Sequence, residues 1–296
     1  MRMRTVLVLA PVAAGIALLG SACGGSARAA GGLEVVAGEN TYGNIAAQIG
    51  GPHVAVTSIL TSPDADPHLF EPAIAHGLAV AQAKLVIQNG AGYDTFLTKL
   101  ESAAPSKSRV VVTIADALGR GRDANPHLWY DVPALDRIAS AIAAGLERAD
   151  PRHAAAYRSG VRRFDASLAP LRREVASIGS RFGGMPVACT EPVPDYLLAA
   201  ARLRNLSPAA FDRAIEDGSE PPPAAVAAMD ALVTGHRIRV LLYNSQAVSP
   251  ITARLRDEAR RAGIPVVPVT ETLPAHLTFQ QWQLRQAQAL GAALST

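Results

Sequence analysis

DPRHAAAYRSGVRRFDASLAPLRREVASIGS, running from Asp150 to Ser180, decides the fold. Asp150-Pro151 is a helix start, with an acidic N-cap and proline at the first helical position. Apolar residues then fall at Val161, Phe164, Leu168, Leu171, Val175 and Ile178, spaced alternately by three and four. One face of a single helix carries all six. Over 151–180 such a helix runs roughly 45 Å at 1.5 Å per residue. Pro170 removes a hydrogen bond and bends it, or, in the alternative, breaks it into a helical hairpin. An unbroken helix here is a stiff strut, not a hinge.

Short β-branched runs alternate with amphipathic stretches on both sides of this segment. Strands are expected at Leu33–Ala37, Val54–Leu60, Leu85–Gln88 and Arg109–Ile114, with a helix at Tyr42–Ile49. After Gly183-Gly184 the rhythm restarts, with strands at Val187–Cys189, Val240–Tyr243 and Val266–Val269 and helices at Ser249–Ala262 and Phe279–Ala293. Alternation of this kind gives mostly parallel sheets covered by helices. The expected fold is α/β, with two lobes joined by one long rigid helix. The corresponding divisions are a leader and tether at 1–32, a first lobe at 33–150, the linking helix at 151–182 and a second lobe at 183–296.

Of the 296 residues, 49% are hydrophobic and 18% charged, a globular composition and not a disordered one. The formal charge is +3, falling by two if Arg2 and Arg4 leave with the leader, and the arginines are scattered. No basic patch interleaved with aromatics supports nucleic-acid binding. Met1-Arg2-Met3-Arg4 and the uncharged run from Thr5 to Gly20 form a signal peptide, too short for a permanent span. Two endings fit. Leu19-Gly20-Ser21-Ala22-Cys23 resembles a bacterial lipoprotein site, although Gly20 stands where leucine is usual. Gly-Gly-Ser after Cys23 would then be a flexible tether. Ala27-Arg28-Ala29 offers ordinary secretion instead. With Cys23 acylated, Cys189 has no disulfide partner and is expected to be a buried small hydrophobe.

Two histidines follow prolines in loops expected where a strand gives way to a helix. They are His68, in Asp66-Pro67-His68-Leu69-Phe70-Glu71-Pro72, and His127, in Asn125-Pro126-His127-Leu128-Trp129-Tyr130-Asp131. Ligands of α/β sheets collect at the carboxyl ends of strands. An imidazole ligand needs an acceptor on its second nitrogen, and Asp66, Asn125 and Asp131 are candidates. Glu191 directly follows the strand ending at Cys189, and Glu271 the strand ending at Val269. Singly, each could be a helix-capping or surface acid. Together with the histidines they make a two-histidine, two-carboxylate set, half from each side of the strut. His53, His153 and His236 are expected at the surface or at helix ends, whereas His76 and His276 lie close enough to be substitute ligands.

These motifs resemble those of the metal-binding receptors of zinc/manganese ABC importers, across nearly the whole chain after the leader. The resemblance implies two lobes joined by a rigid helix and a third ligand after the first strand of the second lobe, at Glu191. It implies a fourth, acidic ligand near the last strand, at Glu271. Two departures stand out. Asn125 replaces the usual aspartate, and Glu271 is one methylene longer than the usual aspartate. The histidine-rich loop of some zinc-specific members is absent from Gly119–Ala124. The implied partners are a membrane permease, a divalent metal ion as cargo and a lipid anchor, with the protein facing outside the cytoplasm.

The mixed donor set excludes a soft copper(I) site but leaves zinc, manganese and iron(II) open, with a lean to zinc. A secreted metallohydrolase is the enzyme alternative, but no His-Glu-x-x-His helix, Gly-x-Ser-x-Gly elbow or phosphate-cradling loop occurs. A siderophore or vitamin receptor would call for an aromatic-lined cleft, and only 5% of residues are aromatic. An adhesin-like role has no distinct surface to support it.

Overall fold

The computed structural model describes residues 31–63 and 67–296, with only the backbone described at His68. The leader, Cys23 and Asp66 lie outside the described residues. The first sheet is built from β1 (Leu33–Glu39), β2 (Val54–Leu60), β3 (Leu85–Gln88) and β4 (Val110–Thr113), in the order β2-β1-β3-β4. All its pairings are parallel, with Val35 opposite both Val56 and Leu85. The second contains β5 (Pro186–Cys189), β6 (Arg204–Asn205), β7 (Leu241–Asn244) and β8 (Val266–Val269), in the order β6-β5-β7-β8 and again parallel. Parallel strands are covered on both faces, so they are apolar runs and not alternating ones. Leu85, Val86 and Ile87 are fully buried, as are Val187, Ala188 and Cys189.

The helices of the first lobe are α1 (Asn40–Gly50), α2 (Ile74–Gln82), α3 (Thr95–Ala103), α4 (Ile114–Leu118) and α5 (Leu135–Ala149). On α5 the residues Leu135, Ile138, Ile142 and Leu146 are buried, at the three- and four-residue spacing of one helix face. The second lobe carries α8 (Asp195–Ala200), α9 (Ala209–Glu216), α10 (Pro223–Thr234), α11 (Pro250–Arg261) and α12 (Phe279–Leu294). Ser249 caps α11 and Thr278 caps α12, each accepting a hydrogen bond from the backbone N–H three residues on.

Between the lobes the expected long helix is present and bent, running as α6 (Ala154–Ser167) and α7 (Ala169–Phe182) set end to end through Leu168. Leu168 joins them with φ −77° and ψ −9°, so the bend falls two residues before Pro170. Pro170 lies in the first turn of α7, where its missing N–H costs nothing. The segment over 151–153 is a 3₁₀ turn. Phe164, Leu168, Leu171, Val175 and Ile178 are buried as their spacing requires, whereas Val161 is only partly so; Tyr157 and Gly160 take the close contacts. Against the first lobe α6 packs on α1 and α5, while α7 packs on α12 of the second. One apolar core runs continuously from Val35 and Ile45 through Phe164, Leu171 and Ile178 to Val187 and Trp282. No helix among the described residues is long and apolar enough to cross a membrane.

The crossing of α1 and α6 depends on Gly160. A Cβ there would come within 2.2 Å of the Ile49 carbonyl oxygen, and backbone cannot move aside as a side chain can. Gly160→Ala is therefore expected to destabilise the fold by about 1–3 kcal/mol, read as a lower midpoint in urea at unchanged slope.

Candidate metal centre

The strand order explains why distant residues meet. Glu191, Asn244 and Glu271 stand at or just beyond the carboxyl ends of β5, β7 and β8, and β7 lies between the other two. Asn244 therefore sits between the two acids. Its Nδ2 donates to Glu271 Oε1 at 2.7 Å and also to Glu191 Oε2. All three side chains belong to residues no more than 1% exposed.

His127 reaches this cluster from the first lobe and is fully buried. Its loop does not follow a strand directly, because α4 intervenes after β4. Asn125 fixes the ring. The Asn125 Nδ2 donates to the Pro192 carbonyl at 2.7 Å, which turns Oδ1 towards His127. That oxygen accepts from the His127 backbone N–H at 2.9 Å and lies 2.8 Å from Nδ1. An amide oxygen cannot donate, so Nδ1 carries a proton, and in the neutral ring Nε2 is the nitrogen left with a lone pair. Nε2 lies 3.2 Å from Glu271 Oε2. The same carboxylate oxygen accepts from the Tyr93 hydroxyl at 2.8 Å. Trp129 closes the box, its ring edge-on to both Tyr93 and His127.

Each wall is held by its own network. Glu271 and Thr272 donate backbone N–H bonds to Gln246 Oε1, at 2.6 and 3.2 Å. Thr270 is pinned on three sides, by the Tyr130 hydroxyl, the Trp282 indole N–H and Gln286. Behind His127, Asn89 Nδ2 donates to the Pro126 carbonyl at 2.9 Å, while Asn89 Oδ1 accepts from the Tyr42 hydroxyl. Asp94 holds Asn89 and Gly90 by their backbone N–H groups, at 2.6 and 2.9 Å. Beside Asp94 lies Glu39, whose carboxyl is pushed well above the usual range, first by burial and then by Asp94. The Tyr93 hydroxyl is likewise pushed up by burial and then by Glu271, so it stays a donor.

The structure thus brings His127 to Glu271, with Glu191 on the far side of the Asn244 amide and Asn125 on the imidazole; among the described residues no three His, Cys, Asp or Glu side chains are grouped closely enough to hold one ion. Asp131 turns away and meets Arg120 at 3.1 Å. Ser62 is anchored to the same wall, its carbonyl accepting from Thr272 Oγ1 at 2.9 Å and from Gln246 Nε2 at 3.3 Å, whereas the side chain of His68 lies outside what is described. His76 is spent at the start of α2, its Nδ1 accepting from the Ala73 N–H at 3.0 Å. His53 and His153 stack on each other at 4.0 Å, and His153 meets Asp150. Sequence reasoning missed Asn244, Tyr93 and Gln246. Asn244 ends an apolar strand as Glu191 and Glu271 follow theirs, which was its one available signal.

The chain matches the profile of the family described as "Zinc-uptake complex component A periplasmic" over residues 35–293. It is 28% identical over 160 residues to the manganese-binding lipoprotein MntA of Bacillus subtilis, covering 49% of this chain and 51% of that one. The chain thus spans about half the length of that relative. A Treponema pallidum relative is 27% identical over 269 residues, 84% of this chain and 83% of its own. Among solved structures, a mutant of the laminin-binding adhesin Lmb of Streptococcus agalactiae superposes with a TM-score of 0.74 at 20% identity, covering 89% of this chain and 100% of that one. At that identity the likeness is one of fold. The profile match, by contrast, spans both sheets and the strut between them, and the chain belongs to the family of periplasmic zinc-uptake component A, ZnuA.

Proposed function

We propose that this protein binds one divalent transition metal ion, zinc or manganese, outside the cytoplasm and delivers it to the permease of an ABC importer. His68 and His127 from the first lobe and Glu191 and Glu271 from the second are its ligands. The observation that carries this reading is the Nε2 of His127 facing Glu271 Oε2 at 3.2 Å, with the Asn125 oxygen 2.8 Å from Nδ1 and so fixing which nitrogen faces the acids. In the neutral ring that lone pair and the carboxylate face each other in a buried site, where either a proton or a metal cation between them removes the repulsion. Glu191 extends the acceptor-rich wall beyond Asn244.

Four protein donors fill a tetrahedral zinc shell at roughly 2.0–2.2 Å and leave no open position for a hydrolytic water. On that ground we read the chain as a carrier and not a hydrolase. Bidentate carboxylates would raise the coordination number towards that favoured by manganese. Family membership and the manganese-binding relative support both ions as cargo. Export rests on the leader at 1–32, with Cys23 as the lipid anchor. Asn244 acts as a placeholder, its amide spacing the two carboxylates until the ion replaces it as their common partner.

Isothermal titration with Zn²⁺ and Mn²⁺ tests the ligand set. His127→Ala is expected to lower affinity by roughly a hundredfold or more, and Asn125→Ala by about 10–100-fold through the misdirected imidazole. His153→Ala leaves affinity unchanged. Equal losses in all three variants would overturn the assignment. Elemental analysis under native mass spectrometry identifies the ion and its stoichiometry.

Asn244→Ala separates the placeholder role from a purely structural one. Removing the shared donor costs about 1–3 kcal/mol of stability without metal. Saturating Zn²⁺ or Mn²⁺ is expected to raise the melting temperature of this variant more than that of the wild type. An equal rise would show that the amide does not stand in for the ion.

A further inference from the structure

Glu39 ends β1 and is only 1% exposed. At the start of α1 its side chain caps nothing, and neither carboxyl oxygen meets a donor among the described residues. The charge it faces is that of Asp94. β1 passes so close that a Cβ on Gly38 would stand 3.0 Å from Asp94 Oδ2. The two carboxyl groups lie within hydrogen-bond range of each other. Around them stand the hydroxyls of Tyr42 and Tyr93, both held neutral by burial and by these acids, and the Asn89 amide.

Two carboxylates buried side by side do not both ionise. One proton between them removes the repulsion and supplies the donor that Glu39 otherwise lacks. The two partners are not equivalent. Asp94 accepts backbone N–H bonds from Asn89 at 2.6 Å and from Gly90 at 2.9 Å, one on each oxygen. Both bonds favour the carboxylate, and they act against the burial that raises Asp94. Glu39 has no comparable pair of donors.

We propose that Glu39 is a positioning residue for metal capture, which carries the proton of this pair and donates it to Asp94 so that Asp94 keeps its grip on the turn at Asn89-Gly90. Asn89 Nδ2 in turn holds the Pro126 carbonyl at 2.9 Å, one residue before His127. Without the Glu39 donor, Asp94 is left as a buried charge with one bond fewer, and the brace behind the imidazole slackens. The inference rests on the proposed ligand role of His127 for its effect on the ion, but not for the place of the proton.

Infrared spectroscopy of the metal-free full chain at neutral pH tests the proton directly. The wild type is expected to show the carbonyl stretch of a protonated carboxylic acid that moves when glutamate is labelled with carbon-13 at its side-chain carboxyl. In Glu39→Gln that band disappears, while other buried acids contribute alike to both proteins and cancel. No such band, or one that ignores the label, overturns the proposal. Titration with Mn²⁺ then tests the brace. Glu39→Gln keeps a donor, and Glu39→Met has similar bulk without one. The glutamine variant is expected to bind within about threefold of the wild type and the methionine variant about tenfold more weakly. Equal affinities in the two variants overturn the bracing role. If Glu39→Met does not fold, Glu39→Gln decides, and a tenfold loss there overturns the proposal. His127→Ala binding as tightly as the wild type overturns the ligand set instead, and the labelled band still decides where the proton lies.

Discussion

Buried acceptors facing one another across a seam are the constraint on which this structure turns. Glu191 and Glu271 from one side and the Nε2 of His127 from the other meet where water is excluded. The two carboxylates cannot neutralise each other, and the protein supplies two kinds of donor to hold them in place, the Asn244 amide and the Tyr93 hydroxyl. Much of the surrounding architecture serves to hold those groups at fixed positions. Gln246 sets the Glu271 backbone, Gln286 and Trp282 set Thr270, and Asn89 sets the loop before His127. Charge placed this way favours a cation over any neutral ligand.

Most of the fold was legible because parallel strands and amphipathic helices write their periods directly into sequence. Every strand expected from β-branched runs lies within a residue or two of its place, since an apolar run buried on both faces has little else to be. The two-residue strand β6 was not legible, as Arg204-Asn205 carries no period at all. The strut is legible as one long bent helix because its apolar spacing passes through Leu168 without interruption. Spacing reports which face is buried, but not that the bend falls at Leu168, with its ψ of −9°, and not at Pro170.

Of the candidate centre, the two glutamates and His127 were legible and the amides and hydroxyl beside them were not. A strand-end glutamate or a Pro-His pair announces a ligand by its chemistry. Asn244 and Tyr93 matter only through what stands beside them, and neighbours across a sheet follow from strand order, which one sequence does not state. Asp131 shows the converse. Four residues from His127 and of the right chemical type, it is drawn instead to Arg120, whose guanidinium also lies over the Tyr196 ring.

The continuous apolar core has a consequence for how the molecule comes apart. Side chains of both sheets and of α6 and α7 belong to the same packed cluster, and Asn40 makes two bonds to the backbone of Leu273 on the opposite lobe. Neither half can shed its structure while the other keeps its own, because each supplies part of the other's interior. Heat or denaturant therefore meets a single cooperative unit, and damage to either half costs the whole molecule its fold.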